Sequence, residues 1–276
     1  MSDHTADLEL ARELALLGGG IAHERYMHHP PATRKGDGSW VTEADVAAEQ
    51  AIRARLAEAR PGHNMLGEED GLHAASGGEA VPGAPTWVVD PIDGTHSYMV
   101  GIPLWATLVG LVVDGTVVVG VCHAPGLGET YEATTGGGAR MNGEPIGVRA
   151  TPLADAMVVS GGLRSAQENG FEPFYRTLSE SAWRVRGLGD FWGHMLVARG
   201  AAQIMVDPIV HTWDTTAVEV IVREAGGAIT QIDGSPIADS RSCLSTCGPP
   251  LHDEVIALAA RASPLGAPFA DPPNGV

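Results

Sequence analysis

The sequence predicts a globular protein of mixed α and β structure, with an α+β N-terminal part followed by an α/β C-terminal part. After two predicted helices, apolar segments and turn-forming residues alternate closely up to residue 146, which favours a largely antiparallel sheet. Beyond residue 150, short apolar segments alternate with amphipathic ones, which favours strands separated by helices. No stretch of disordered composition separates residues 1–150 from residues 151–276, so we expect the two parts to pack against each other around a cleft.

Composition and charge exclude several classes of partner. The chain has 276 residues, of which 44% are hydrophobic and 18% are charged, a composition typical of globular enzymes. Its net charge of −17 would repel nucleic acids and anionic membranes. An acidic protein can still bind a phosphate ester where metal ions held by carboxylates reverse the local charge.

The cysteine content and the hydropathy of the chain indicate a cytoplasmic location. The three cysteines, Cys122, Cys243 and Cys247, form no paired framework, which is typical of a reducing compartment. The sequence lacks an apolar run of about 18 residues, and its N-terminus is acidic where a signal peptide would be basic. We therefore expect no membrane as a partner.

Two helices are predicted at the start of the chain. The first carries apolar residues at helical spacing, namely Leu10, Leu14, Leu17 and Ile21. Three glycines at 18–20 weaken this prediction, because each costs about 1 kcal/mol relative to alanine. Residues 28–40 are rich in Pro, Gly and Asp and are predicted to form a loop. The second helix is predicted to begin at Thr42, a good N-cap residue followed by acidic residues in the first turn.

The predicted strands and helices that follow are read from apolar periodicity and turn residues. Asp114-Gly115 between two long apolar segments predicts a β-hairpin. The other predicted strands have the sequences NMLG, TWVVD, ETYEAT with a glycine-rich hairpin tip, AMVVS, AAQIMVD, AITQID and CLSTC. The predicted helices have the sequences FEPFYRTLSES, DFWGHMLVARG, WDTTAVEVIVREA and HDEVIALAARA. Residues 263–276 are predicted to be a loose tail.

Acidic residues occur at the ends of four apolar segments or helix starts. They are Asp45, the pair Glu68 and Glu69, the pair Asp90 and Asp93, and Asp214. Each taken alone has an ordinary interpretation as a helix cap or a turn residue. Taken together they form an oxygen-rich set that favours a hard cation such as Mg²⁺, and no His or Cys grouping has the spacing of a zinc site.

The segment DPIDGT combines a candidate metal site with a candidate phosphate site. The proline stiffens the backbone, so Asp90 and Asp93 can turn toward one point. The Ile92 carbonyl between them could supply a third oxygen. The backbone N–H groups of Gly94 and Thr95 could then bind an anion. The alternative interpretation of the same segment is an ordinary surface turn.

Four segments resemble the motifs of one family. GEE at 67–69, WVVDPIDGT at 87–95 and WDTTAVEVIVREAGG at 213–227 are similar, in order and spacing, to the three signature motifs of the inositol monophosphatase superfamily. VTEAD at 41–45 is similar to its upstream acidic motif. The resemblance covers nearly the whole chain and implies a layered αβαβα fold with the active site between the two parts.

Two further segments resemble one branch of that superfamily. GIPLWATLVGLVVDG at 101–115 and GDFWGHMLVARG at 189–200 look most like histidinol phosphatases. The family usually continues DGT with a variable residue and then Asn-Phe, whereas this chain has His96, Ser97 and Tyr98. This departure next to the catalytic loop leaves the identity of the substrate open.

The resemblance implies a metal-binding role for specific residues. Two Mg²⁺ ions, with a third and weaker position, would be held by Glu68, Asp90, the Ile92 carbonyl, Asp93, Asp214 and, through water at the third position, Asp45. Asp90 would bridge the first two ions. Glu69 would lie behind this layer and hold a ligand or a water molecule in place.

The resemblance also implies catalytic and substrate contacts. Glu68, Thr95 and Asp93 would be catalytic, with Glu68 and Thr95 orienting the attacking water. The amides of Gly94 and Thr95 would bind phosphate oxygens. Asp207 matches a family position whose acid touches the organic part of the substrate, and it suits an ammonium group or hydroxyls equally; Asp190 is a second candidate for this contact. Three histidines could line the pocket, although packing or solvent-facing roles are commoner for this residue: His96, His194 and His211.

Together these observations predict a Mg²⁺-dependent phosphatase for a small phosphate monoester, with L-histidinol phosphate as the first substrate to test. Inositol 1-phosphate, a sugar phosphate or a nucleoside monophosphate are alternative substrates for the same chemistry. A non-catalytic protein that binds metal or phosphate is an alternative of another class. A homodimer is suggested by the family resemblance alone.

Overall fold

A computed structural model describes residues 4–28, 30–36, 38–237 and 241–262. The helices are α1 (Thr5–Tyr26), α2 (Glu43–Ala59), α3 (Thr95–Met99), α4 (Leu163–Glu168), α5 (Glu172–Ser181), α6 (Asp190–Ala198), α7 (Thr212–Glu224) and α8 (Pro249–Ala262), with one 3₁₀ turn at Leu153–Asp155. The strands are β1 (Ala32–Arg34), β2 (Trp40–Thr42), β3 (Asn64–Gly67), β4 (Gly71–Ala74), β5 (Thr86–Asp93), β6 (Ala106–Val113), β7 (Thr116–Ala124), β8 (Glu129–Thr134), β9 (Gly138–Met141), β10 (Glu144–Pro145), β11 (Met157–Ser160), β12 (Arg184–Gly187), β13 (Ile204–Asp207), β14 (Ala228–Thr230) and β15 (Cys243–Thr246).

The strands form two large sheets and one small hairpin. The eight-stranded sheet has the order β10-β9-β8-β7-β6-β5-β3-β4, and its neighbours are antiparallel except for the parallel pair β3 and β5. The five-stranded sheet has the order β12-β11-β13-β15-β14, with β11 parallel to both of its neighbours. The largely antiparallel sheet predicted for the N-terminal part is therefore confirmed.

The helices separate the two sheets into layers. Helices α1 and α2 pack on one face of the eight-stranded sheet, and α7 packs on its other face. Helix α6 lies against α7 and contacts the five-stranded sheet, while α5 and α8 pack together, with α8 against β15. A shared apolar core joins residues of β6–β8 to residues of α6 and α7. This arrangement confirms the layered αβαβα fold, whereas the division of the chain at residue 150 stays a prediction.

Helix α1 runs through the three glycines that weakened its prediction, and packing explains why. A β-carbon at Gly18 would lie 2.6 Å from Cδ1 of Ile52, and one at Gly19 would lie 2.5 Å from Cδ2 of His123. The missing side chains allow α1 to approach α2 and β7 closely, so tertiary packing offsets the low helix propensity of glycine. Leu10 and Leu14 are buried in this contact, as predicted.

Several local predictions are confirmed in detail. Thr42 caps α2, because its hydroxyl oxygen accepts a hydrogen bond from the Ala44 N–H at 3.1 Å. Asp114 and Gly115 join β6 to β7 with φ angles of 49° and 73°, as a type I′ hairpin turn requires. Helix α7 ends next to Gly226, which has a φ of 87°.

The prediction of a loop over residues 28–40 was wrong in part. Strands β1 and β2 pair there as a short antiparallel hairpin, with Ala32 opposite Thr42 and Arg34 opposite Trp40. Strands β4 and β12 and the short helices α3 and α4 were not predicted, because they are polar or too short for apolar periodicity. The predicted loose tail, residues 263–276, lies outside the described residues. Within the described ranges no helix is long and apolar enough to cross a bilayer.

Candidate active site

A cavity of about 730 Å³ opens between the two sheets, where β5, α6 and α7 meet. Its walls contain the predicted site residues Glu68, Asp90, Ile92, Asp93, Gly94, Thr95, Asp190, Asp207 and Asp214, and all three candidate histidines, His96, His194 and His211. Two other predicted residues, Asp45 and Glu69, are not part of the cavity wall. The structure therefore brings together residues that lie up to 146 positions apart in the sequence (Glu68 to Asp214, 214 − 68).

A β-bulge at the end of β5 aims two carboxylates in one direction. Asp90 lies opposite Leu108, but Asp93, three residues later, lies opposite Ala106, only two residues away on β6. One residue of β5 is therefore extra, and the alternation of side chains is shifted by one position. In a regular strand, residues three apart would point to opposite faces, whereas the bulge allows both carboxylates to face the cavity.

The third carboxylate of this group arrives on the first turn of α7. One oxygen atom from each of Asp90, Asp93 and Asp214 lies within 4.8 Å of the other two. The carboxylate of Asp214 accepts a hydrogen bond from the backbone N–H of His211 at 2.7 Å, so the same residue caps the helix and reaches the site.

Two glycines of the eight-stranded sheet bring α7 close enough for this contact. A β-carbon at Gly110 would lie 2.5 Å from Cγ2 of Thr216, and one at Gly120 would overlap the Ala217 carbonyl. The backbone of α7 therefore lies almost directly on β6 and β7, next to the end of β5.

The grouped carboxylates repel one another in the absence of cations. Burial raises the pKa of Asp90 well above its ordinary value, and the neighbouring charges of Glu68, Asp93 and Asp214 raise it further. Burial also raises the pKa of Asp93, with further contributions from Asp190 and Asp214. The pKa of Asp214 is raised to about 7, chiefly by burial. A divalent cation would relieve this repulsion, so the donor set fits a hard metal ion.

Asp45 lies deep in the protein at the start of α2 and has one oxygen without a partner. Its Oδ2 accepts hydrogen bonds from the Thr42 N–H at 2.8 Å and the Thr42 hydroxyl at 2.6 Å. Its Oδ1 is buried and makes no hydrogen bond among the described residues. Burial raises the pKa of Asp45 to about 6, and the charge of Glu68 also raises it. Oδ2 of Asp45 therefore caps the helix, as the ordinary interpretation predicts, while Oδ1 could bind a water molecule or an ion.

Glu68 and Glu69 form ion pairs with a lysine that the sequence did not single out. Nζ of Lys35 lies 2.9 Å from Oε1 of Glu68 and 2.8 Å from Oε1 of Glu69. Burial opposes the charge of Lys35, but hydrogen bonds to Glu69 and Glu68 outweigh it and raise the lysine pKa. Lys35 lies in the turn between β1 and β2, within the segment predicted as a loop, and no spacing in the sequence distinguishes it.

The backbone turns sharply at Gly94 to begin α3. Gly94 has a φ of 85°, and a β-carbon there would lie 2.7 Å from the Leu104 carbonyl oxygen and 3.2 Å from Oδ2 of Asp190. Only glycine suits both the conformation and the space. Oγ1 of Thr95 donates a hydrogen bond to the Ile92 carbonyl at 3.0 Å, which ties the two residues of the loop together.

Helix α6 and strand β13 supply the opposite wall. Asp190 adopts a left-handed conformation with a φ of 59°, which is uncommon for a residue other than glycine and often marks a functional site. The next residue, Phe191, donates its backbone N–H to Oδ2 of Asp93 at 2.8 Å and so links the two walls. Burial raises the pKa of both Asp190 and Asp207, and the charge of Asp190 adds to the effect on Asp207.

His194 lies on the same wall, one helical turn after Asp190. Its Nδ1 is 2.7 Å from Oγ of Ser245, and burial lowers the pKa of the ring to about 3. This wall therefore presents two half-buried carboxyl groups and one buried, neutral imidazole to the cavity.

The three residues that depart from the family pattern have different environments. Tyr98 is fully buried, and its hydroxyl donates to the Ala22 carbonyl in α1 at 2.8 Å. Its ring packs against Tyr26 and Trp105, with ring centroids 5.5 and 5.0 Å away. Of the three, only His96 lines the cavity. The phenol at position 98 therefore acts in the core behind the loop and not in the site.

Comparison with known proteins agrees with this geometry. The sequence profile of the Inositol monophosphatase family matches residues 4–264. The chain belongs to the inositol monophosphatase family. A histidinol-phosphatase of Streptomyces coelicolor is 36% identical over 267 residues, which cover 93% of this chain and 97% of that protein. The inositol-1-monophosphatase ImpA of Mycolicibacterium smegmatis is 34% identical over 235 residues, which cover 82% of each chain.

A solved structure of the same family supports the fold. The IMPase of Thermotoga maritima superposes with a TM-score of 0.82 at 28% identity, covering 94% of this chain and 98% of that chain. Membership of the family makes this protein a phosphoric monoester hydrolase. The family is generally metal-dependent, and the acidic cluster at the end of β5 is consistent with that dependence.

Proposed function

We propose that this protein is a Mg²⁺-dependent phosphatase that hydrolyses L-histidinol phosphate with water as the nucleophile. The observation that carries the metal dependence is the convergence of three carboxylates within 4.8 Å at the end of β5 and the start of α7. A divalent cation bound between them would offset their mutual repulsion, which burial strengthens.

The residues that would hold Mg²⁺ are all oxygen donors. Two or three ions would be bound by Glu68, Asp90, the Ile92 carbonyl, Asp93 and Asp214, and through water by Asp45. When bound, Mg²⁺ supplies positive charge for the phosphate and lowers the pKa of a water molecule. Lys35 pairs with Oε1 of Glu68 at 2.9 Å, so a metal ion would bind this carboxylate through Oε2 or displace the ammonium group from Oε1.

The loop at Gly94 would bind the phosphate, and its neighbours would place the water. Gly94 and Thr95 line the cavity at a sharp turn, where Gly94 has a φ of 85°, and their backbone N–H groups are donors of the kind that bind phosphate oxygens. Glu68 and the Thr95 hydroxyl would orient the attacking water by hydrogen bonds. Glu69, whose pKa burial raises to about 7, would hold this arrangement from behind.

Two observations favour histidinol phosphate as the substrate: the acidic residues on the cavity wall formed by α6 and β13, and the activity of a similar protein. Asp190 and Asp207 are half-buried carboxyl groups whose pKa values are raised, and a substrate ammonium group would stabilise their charged forms. A relative that shares 36% of its residues over nearly the full chain is a histidinol-phosphatase. The second candidate is inositol 1-phosphate, because a relative is an inositol-1-monophosphatase. The same two carboxylates could accept hydrogen bonds from the inositol hydroxyls.

A substrate panel tests the proposal. Phosphate release by the purified protein would be measured with histidinol phosphate, inositol 1-phosphate, a hexose phosphate and a nucleoside monophosphate, each with Mg²⁺ and with a chelator. We expect the highest kcat/KM with histidinol phosphate and no turnover in chelator. A higher kcat/KM with inositol 1-phosphate would favour the second candidate, and no turnover with any ester would favour a non-catalytic protein. A homodimer and a cytoplasmic location stay predictions.

A further inference from the structure

The turn that carries Glu68 and Glu69 receives its support from a helix outside the cavity. Strands β3 and β4 pair as far as Gly67 opposite Gly71, so Glu68, Glu69 and Asp70 form the connecting turn. The Glu68 N–H donates to the Val89 carbonyl of β5 at 3.2 Å. The next two N–H groups point away from the sheet and need other partners.

Glu49 of α2 supplies both partners. The Glu69 N–H donates to Oε2 of Glu49 at 2.9 Å, and the Asp70 N–H donates to Oε1 at 3.0 Å. The side chain is only 2% exposed, so water does not compete for these hydrogen bonds. One carboxylate thus binds two consecutive amides, as an anion does in a backbone nest.

The space beneath the turn matches this carboxylate closely. A β-carbon at Gly67 would overlap the Glu49 carboxylate, so a glycine is needed where the chain passes it. Arg53, one turn further along α2, approaches Oε1 of Glu49 and the Gly71 carbonyl at 3.5 Å each. It also lies 3.3 Å from the Asp70 carboxylate. The turn is therefore held at both of its ends.

Helix α2 presents two acidic residues, four positions apart, to two sides of the same site. Asp45, in the first turn, directs its unpartnered Oδ1 into the buried region near Glu68. Glu49, on the same helical face, binds the backbone of the turn that carries Glu68. A movement of Glu49 would thus change the position of Glu68 relative to Asp45 and Asp90.

We propose that Glu49 is the positioning residue that holds the Glu68 carboxylate in place for the metal ions, a role that rests on the proposed function. Glu49 itself touches neither metal nor substrate. The hydrogen bonds it accepts prevent the turn from relaxing away from β5, so its loss should weaken metal binding more than it weakens the fold.

The test is a direct metal titration of Glu49→Gln. The amide keeps the shape but turns one acceptor into a donor that faces a backbone N–H. We expect the Mn²⁺ dissociation constant, measured by calorimetry or electron paramagnetic resonance, to rise roughly 10–100-fold, as is typical for residues behind metal ligands. The Mg²⁺ concentration at half-maximal activity should rise in parallel, while kcat at saturating Mg²⁺ recovers to within several-fold of wild type.

Glu132→Gln is the matched control. Glu132 is also buried, at 5% exposure, and also accepts two hydrogen bonds, from Arg12 at 2.7 and 2.8 Å, but it lies on β8 away from the cavity. This variant should lose thermal stability without any change in metal affinity. If Glu49→Gln behaves in the same way, Glu49 is merely structural and the proposal is wrong.

A second variant covers the case in which Glu49→Gln does not fold. Glu49→Asp keeps the charge but shortens the side chain, so it can reach only one of the two N–H groups, and we expect a smaller loss of metal affinity. Unchanged affinity in folded Glu49→Asp would overturn the positioning role. If the wild-type protein itself binds no Mn²⁺, the proposed function fails, which is a distinct result.

Discussion

The two walls of the cavity hold their acidic groups in different ways. The metal wall, consisting of Glu68, Asp90, Asp93 and Asp214, derives its geometry from backbone features: a tight turn, a β-bulge and a helix N-terminus. The substrate wall, consisting of Asp190, His194 and Asp207, is set by a strained residue, a buried imidazole and the end of β13. Under the proposed function, cations neutralise the charge that accumulates on the metal wall, whereas the groups of the substrate wall can each serve a different ligand.

This difference predicts whether a substitution reduces the turnover of every phosphate ester or only of some. A change on the metal wall should reduce turnover of every phosphate ester, because all share the phosphate and the metal requirement. The effect of a change on the substrate wall should differ between esters, because this wall contacts only the organic part of the substrate.

The largest effect is expected for Asp93→Asn. Loss of one ligand charge should raise the activation free energy by about 3 kcal/mol or more, which lowers kcat/KM for every substrate roughly 100-fold or more. The metal-free variant should be more stable than wild type, because burial and the neighbouring acids raise the Asp93 pKa and the amide removes this repulsion. Steady-state kinetics and thermal unfolding in chelator measure the two effects.

The control for this variant is Asp253→Asn, an exposed position on α8 that should change neither quantity. Intact phosphatase turnover in Asp93→Asn would show that the metal wall is not the catalytic centre.

Asp207→Asn should separate the two walls. If Asp207 binds a substrate ammonium group, the variant loses a charged hydrogen bond of about 1.5–3 kcal/mol. The corresponding fall in kcat/KM for histidinol phosphate is roughly 10–100-fold. A hexose phosphate, which has no ammonium group, should be affected several-fold less. Equal losses on both esters would mean that Asp207 acts through the metal wall.

The stability of the metal-free protein should depend on pH in a direction set by the raised carboxyl pKa values. The pKa of Asp45 is raised to about 6 and that of Asp214 to about 7, chiefly by burial. In the unfolded chain both titrate near the ordinary value of about 4. Between about pH 4 and pH 7 the folded state therefore holds more protons, and the free energy of unfolding falls as pH rises, by about 1.4 kcal/mol per pH unit for each proton.

Urea unfolding in chelator at pH 5, 6, 7 and 8 measures this slope. Added Mg²⁺ should stabilise the protein more at pH 8 than at pH 5, because the ligands must be deprotonated to bind it. In Asp214→Asn the slope should be shallower. A free energy of unfolding that rises over the window would contradict the assigned cause of these pKa shifts.

The smallest effect is expected behind the loop, at Tyr98. Tyr98→Phe removes the hydrogen bond to the Ala22 carbonyl, which should cost about 1 kcal/mol and about 2–4 °C in Tm. Turnover and substrate preference should not change, because the hydroxyl faces α1 and not the cavity. A shift in substrate preference would show that position 98 influences the site after all.

The acidic residues proposed to serve the metal site could be singled out from sequence because they lie in short motifs that also carry the family resemblance. Asp90 and Asp93 lie in one short segment, and Asp45 and Asp214 are recognisable at helix starts. The largely antiparallel N-terminal sheet followed from the alternation of apolar segments and turns, and the layered arrangement followed from the family resemblance.

Other features could not be predicted because they depend on tertiary contacts. Lys35 reaches Glu68 from a hairpin with no apolar periodicity. The left-handed conformation of Asp190 and the hydrogen bonds that Glu49 accepts from the turn are visible only once α6 and α2 are packed. Glycines 18 and 19 appeared unfavourable for α1 because helix propensity ignores the neighbours that require them.

The most direct test of the central claim is to locate the metal ions. Crystals grown with Mn²⁺ and phosphate would be examined for anomalous scattering at the manganese edge. We expect two strong peaks, each within coordination distance of at least two of the carboxylates of Glu68, Asp90, Asp93 and Asp214, and any third, weaker peak on the side of Asp45, with phosphate beside Gly94 and Thr95. Peaks elsewhere, or no peak within coordination distance of Asp90, would contradict the assignment of this cavity as a metal-dependent phosphatase site.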